Sequence, residues 1–122
     1  MKQVLIVEDD RWLADSYRRL LEKAEFAVAS VTGSEEAIRR IETAAPDVIL
    51  ADVLLEGNTV VSLLHELQSY DDTRRIPIVI CTSLTHDGLE ADRLHGYGVR
   101  AVLDKATLTP EQLALTLREA CA

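Results

Sequence analysis

The chain has 122 residues, 48% apolar and 28% charged, which fits one ordinary domain with a hydrophobic core of its own. Its 13 Lys and Arg stand against 21 Asp and Glu, and the resulting net charge of −8 opposes contact with a nucleic-acid phosphate backbone. Two cysteines make no disulfide framework, Met1-Lys2-Gln3 does not read as a secretory signal, and the apolar runs are too short to cross a bilayer, so the expected setting is a reducing cytoplasm.

Val4-Leu5-Ile6-Val7 is an unbroken apolar run, the pattern of a strand covered on both faces inside a parallel sheet. Three acids follow it, Glu8-Asp9-Asp10, the last placed to cap a helix. That helix carries the stripe Leu13, Tyr17, Leu20, Leu21 and Ala24, with Trp12 at its start expected half exposed. Residues 26–31 are milder and predict a strand near an edge. Thr32-Gly33-Ser34-Glu35 spells a capping box before a second stripe, Ala37, Ile38, Ile41 and Ala45. Val48-Ile49-Leu50-Ala51 is the next buried strand and ends in Asp52; Val60, Leu63, Leu64 and Leu67 then make a third helical stripe. Ile78-Val79-Ile80-Cys81 ends in Thr82-Ser83, and a short helix is expected over residues 88–95. Past Gly96-Tyr97-Gly98, a fifth strand at Ala101-Val102-Leu103 ends in Asp104-Lys105. The last helix has the strongest start signal: Thr109 as cap, Pro110 at the first position, Gln112 completing the box and Leu108 able to staple against Leu113.

Strands alternating with helices through short connections predict an α/β fold, a parallel sheet with helices on both faces. In such sheets the functional crevice lies at the carboxyl ends of the strands. There the chain gathers Glu8, Asp9, Asp52, Thr82 and Lys105. Crowded carboxylates repel unless a cation joins them, and Mg²⁺, satisfied by a few hard oxygens and several waters, suits that role. Taken alone, Lys105 reads equally well as a surface lysine, and Thr82-Ser83 as a plain strand end. No Gly-x-Gly-x-x-Gly follows the first strand and no Walker loop occurs, which excludes the usual dinucleotide and nucleotide cradles. Val53-Leu54 after Asp52 argues against a phosphatase that pairs two aspartates at that point. His65, His86 and His95 lack metal-ligand spacing.

Four segments, each at a strand end and in order, carry a resemblance: Val4 to Asp10, Pro46 to Asp52, Ile76 to Ser83, and Leu103-Asp104-Lys105. Over essentially its whole length the chain resembles a response regulator receiver domain of two-component signalling, similar to the chemotaxis regulators. The resemblance implies a single receiver domain over residues 1–122, with a flavodoxin-like doubly wound five-stranded sheet in the order 2-1-3-4-5. It implies that Asp52 is the phosphoacceptor, taking a phosphoryl group from the phosphohistidine of a sensor histidine kinase or phosphotransfer protein. Glu8, Asp9, Asp52 and the main-chain carbonyl of Leu54 would hold Mg²⁺. Lys105 would pair with phosphoryl oxygens, and Thr82 would move toward them and pass the signal to a downstream protein or an output domain. Nucleic acid and membrane are not expected as direct partners.

Several positions depart from the family pattern. After the phosphoacceptor, where receivers commonly read Leu-Pro-Gly-x-Asp-Gly, this chain has Leu55-Glu56-Gly57-Asn58-Thr59-Val60. Val102 stands where a switching aromatic is usual, Ala106 where proline is usual, and Arg100 where DNA-binding subfamilies carry an acid. The phosphorylation residues are untouched, whereas the output machinery is altered. Leu54 and Leu84 flank the site and offer no group to orient a water, so slow spontaneous loss of the phosphoryl group is expected. The competing reading is a receiver-like interaction module that phosphorylation does not regulate. A small-molecule enzyme on the same fold would need a further polar cluster, and the sequence offers none.

Overall fold

The computed structural model describes residues 1–52, 54–55, 58–83 and 96–122, with the backbone alone at 54–55 and 58–59. In chain order the elements begin β1 (Gln3–Val7), α1 (Arg11–Lys23), β2 (Ala27–Val31), α2 (Ser34–Thr43) and β3 (Val48–Ala51). They continue with β4 (Leu54–Leu55), β5 (Asn58–Thr59), α3 (Val60–Gln68), β6 (Ile78–Thr82), β7 (Val99–Asp104) and α4 (Pro110–Ala120). The main sheet runs β2-β1-β3-β6-β7 with every neighbouring pair parallel, the order 2-1-3-4-5 when its five strands alone are counted. β2, the mildest of the apolar runs, lies at an edge. β4 and β5 form a small antiparallel hairpin, Leu54 opposite Thr59 and Leu55 opposite Asn58. The expected helix at residues 88–95 lies outside the described residues.

The unbroken apolar runs have a direct cause. Successive strand side chains point to opposite faces, and here both faces are covered. Leu5, Val7, Ile49, Ala51, Ile78 and Ile80 pack with Ala37, Ile41, Leu63, Leu64 and Leu67 of α2 and α3. Val4, Ile6, Val48, Leu50, Val79 and Cys81 pack with Tyr17 and Leu21 of α1 and with Leu113 and Leu117 of α4. One chain therefore builds two cores, one on each side of the sheet.

The helix ends follow local chemistry. Asp10 caps α1, its side chain accepting from the N–H groups of Trp12 and Leu13. At the other end Phe26 N–H donates to Leu21 O and Glu25 N–H to Glu22 O, a Schellman closure with Glu25 in the left-handed region at φ 70°. Thr109 Oγ1 accepts from Gln112 N–H at 3.1 Å, and Pro110 opens α4, as the sequence predicts. The start of α2 differs from expectation. Gly33 is the cap residue and has no side chain to accept, while Glu36 reaches back to the N–H and hydroxyl of Thr32. The capping-box spelling was one residue out of register with the helix.

Two features lie on the approach to β7. Gly98 has φ +87°, a left-handed conformation that favours glycine, and a Cβ there would come within 3.2 Å of Gln68 Nε2. Ile78 pairs with Val99 but Val79 with Ala101, leaving Arg100 as the extra residue of a bulge.

Candidate active site at the carboxyl end of the sheet

Strand register brings the site residues together. Val7 lies opposite Ala51, so Glu8 and Asp52 leave adjacent strands side by side. Glu8 N–H still donates to Val31 O at 3.0 Å and Asp52 N–H to Val7 O at 3.3 Å, which extends the ladder to the rim. On the other side Thr82 pairs with Asp104, and Lys105 N–H donates to Thr82 O at 3.0 Å. Glu8, Asp52, Thr82 and Lys105 thus emerge from four neighbouring strands of one sheet.

Their side chains meet around one ammonium group. Lys105 Nζ donates to Asp52 Oδ2 at 2.7 Å and to Glu8 Oε1 at 3.1 Å. The other oxygen of Glu8, Oε2, accepts the N–H of Asp10 at 3.3 Å. The Glu8 side chain is 3% exposed, Asp52 14% and Lys105 21%, so the cluster is shielded while Asp52 remains reachable. Burial disfavours the Glu8 carboxylate and raises its pKa above the usual range. The hydrogen bond from Lys105, the Asp10 N–H and the lysine charge oppose that rise in part, and neighbouring Asp9 adds to it. Burial also works against the Lys105 charge, but its hydrogen bonds to Asp52 and Glu8 and their charges prevail and hold its pKa above the ordinary lysine value. Asp9 is exposed next to Glu8. Thr82 is 2% exposed.

Among the described residues no three Asp, Glu, His or Cys side chains close into a metal cage. The donor chemistry nevertheless fits an open, water-rich Mg²⁺ site. Two carboxylates already lie close enough to share one cation, and Mg²⁺ asks for only one or two such groups beside its waters. Leu54, whose carbonyl the sequence reading adds, lies two residues beyond Asp52 in the small hairpin.

Around the site, one side chain departs from what the sequence predicts, and others make contacts the sequence does not announce. Trp12 is 84% exposed rather than half exposed. Val102 is half-buried against the core on the α2–α3 side. Cys81 is buried as expected, but its Sγ lies 3.2 Å from Tyr17 OH, a link across 64 residues of sequence. Burial first, then the partner hydroxyl, pushes the Tyr17 pKa up, and burial raises that of the Cys81 thiol. His65 is exposed, yet its Nε2 lies 2.8 Å from Tyr97 OH, with the rings edge to face. Gln68 Nε2 donates to Tyr97 O at 2.9 Å, so α3 grips the segment leading into β7 at two points. No sequence signal marks either pairing, because the partners lie tens of residues apart. His86, His95 and Leu84 lie outside the described residues.

A doubly wound parallel sheet with acids, a buried hydroxyl and a lysine converging at its carboxyl rim defines the class of protein. The family model of the response regulator receiver domain matches residues 4–118, and the chain belongs to that family. It is 30% identical over 116 residues to the phosphate regulon transcriptional regulatory protein PhoB of Rhizobium meliloti (strain 1021), covering 93% of this chain and 50% of that protein. The chain spans half or less of the length of such curated relatives. Among solved structures, a sensor protein from Polaromonas sp. JS666 superposes with a TM-score of 0.90 at 25% identity, covering 98% of this chain and 95% of that one. The receiver domain of sensor histidine kinase PA1611 from Pseudomonas aeruginosa PAO1, with a magnesium ion coordinated in its active site cleft, superposes at 0.83 with 24% identity, covering 98% and 97%.

Proposed function

We propose that residues 1–122 act in the cytoplasm as one receiver domain in which Asp52 accepts a phosphoryl group from the phosphohistidine of a sensor histidine kinase or phosphotransfer protein. A carboxylate oxygen of Asp52 forms the new O–P bond while the P–N bond breaks, and the departing imidazole keeps the electron pair and takes up a proton. The observation that carries this reading is the 2.7 Å contact of Asp52 Oδ2 with Lys105 Nζ, at a carboxylate 14% exposed. An ammonium already held beside the acceptor is positioned to bind an incoming phosphoryl oxygen without rearranging the strands. Glu8, Asp9, Asp52 and the Leu54 carbonyl would hold Mg²⁺. When bound, the ion neutralises charge between the acceptor carboxylate and the phosphoryl oxygens. Thr82, buried at the end of β6, carries the altered state toward a downstream protein or an output domain.

A second reading has its own observation. Val102 is half-buried and has no ring to exchange between two positions, which favours an interaction module insensitive to phosphorylation. Incubating the chain with Mg²⁺ and acetyl phosphate, and comparing it with Asp52→Ala by intact mass, separates the two. The wild-type chain gains one phosphoryl group and the variant gains none; a wild-type chain of unchanged mass establishes the module instead.

A further inference from the structure

We infer that the trough between α2 and α3, none of whose lining residues belongs to the phosphoryl site, is a docking groove for a basic amphipathic helix of a partner protein. The trough has a volume of about 510 Å³ and continues into a second hollow of about 120 Å³, the two sharing Ile38 and Glu66 as lining residues. Its floor is apolar: Ile38 is half-buried, and Ile41, Leu63 and Leu67 lie beneath it. At the lower end Tyr70 is 57% exposed, one of four large apolar side chains open to water among the described residues.

Charge decides the occupant. Glu35, Glu42, Glu66 and Asp72 stand along the rim, all exposed, and Arg39 is the one cation among the lining residues. The groove between α1 and α4, on the opposite side of the sheet, has the reverse character, with Arg19, Lys23 and Arg118 against Glu111. The acidity is therefore a local property of one face and not merely the overall charge of −8 spread evenly. A floor of aliphatic side chains between acidic walls complements a helix with leucine-like residues on one stripe and Lys or Arg on its flanks. The run of α2 from Ser34 to Glu42 spans roughly 12 Å at 1.5 Å per residue, room for about two turns of such a helix.

The test uses the whole chain and a fluorescent peptide of roughly four helical turns, leucines spaced three and four apart with lysines between. Its control is the same composition scrambled so that no stripe remains. The amphipathic peptide should bind about 10-fold more tightly than the scrambled one, with backbone amide shifts confined to α2, α3 and the following turn. Glu35→Lys combined with Glu66→Lys should weaken it about 10-fold, and Arg39→Glu should tighten it several-fold. Arg19→Glu, in the opposite groove, and Asp52→Asn should change nothing, with circular dichroism reporting that every variant is folded. Equal binding of the two peptides, amide shifts elsewhere, or equal sensitivity to charge changes on either face would overturn the proposal. So would sedimentation showing that the trough is filled by a second copy of the chain.

Discussion

The two halves of the carboxyl rim are built to different standards. On the β1–β3 half, Glu8 and Asp52 converge on the ammonium of Lys105, which reaches over from the end of β7, with contacts of 3.1 and 2.7 Å, and both carboxylate oxygens of Glu8 are engaged. On the β6–β7 half, Thr82 is buried and Val102 is a half-buried hydrocarbon, while the aromatic nearest in sequence, Tyr97, is tied to α3 by His65 and Gln68. The difference teaches that accepting a phosphoryl group and reading it out make opposite demands on a rim. The first needs charges fixed in place, and the second needs an element with two positions. Here the charges are fixed by direct contacts, whereas Val102 has no ring to exchange between two positions.

The comparison breaks most clearly at Lys105. Lys105→Ala should slow phosphoryl uptake from acetyl phosphate roughly 100-fold, as loss of one charge-stabilising donor does elsewhere. The same variant leaves Glu8 buried beside Asp52 without its cation, so Glu8 binds its proton more tightly folded than unfolded. Its stability deficit should accordingly be largest near neutral pH and shrink as pH falls toward Glu8 protonation, measured by urea unfolding across pH. A deficit that grows on acidification would show that the lysine plays no electrostatic part. Next in size, the phosphorylated chain should lose its group over minutes or longer, because Leu54 and Leu84 cannot orient a water. A half-life of seconds, followed by intact mass, would refute that.

The readout half is probed by smaller effects. Gly98→Ala forces a left-handed residue and a 3.2 Å approach to Gln68, and should destabilise the chain by about 1–2 kcal/mol in urea. Phosphoryl uptake should be retained if the two halves are separate. Finally, burial raises the Cys81 pKa, so at pH 8 less of it is thiolate than in an ordinary cysteine. Iodoacetamide should modify the half-buried Cys121 before Cys81, scored by peptide mass. Early labelling of Cys81 would mean that β6 opens readily at its carboxyl end.

Much of this was legible in the chain. Continuous apolar runs announced strands covered on both faces, and the acids and lysine beyond them marked the rim. Asp10 and Thr109 were readable as caps because capping acts over three residues. The start of α2 was not, since Thr32 and Ser34 compete for the cap and neither takes it; the backbone turns at Gly33. The grip of α3 on Tyr97 and the Tyr17–Cys81 contact were invisible for another reason. They join residues whose proximity exists only once the sheet has assembled. The hairpin of β4 and β5 was likewise hidden in two-residue strands too short for alternation to register.

The two outer strands of the main sheet each carry a feature that blunts edge-to-edge pairing. An unprotected outer strand offers free main-chain groups to any passing extended segment and so invites fibril growth. At β7 a bulge interrupts the regular run of the strand at Arg100, an exposed charged residue. At β2, Arg18 reaches across from α1 to hold Val28 O at 3.1 Å and the Ser30 hydroxyl at 3.2 Å. One kinked border and one hand-railed border leave an arriving strand no straight seam to zip along.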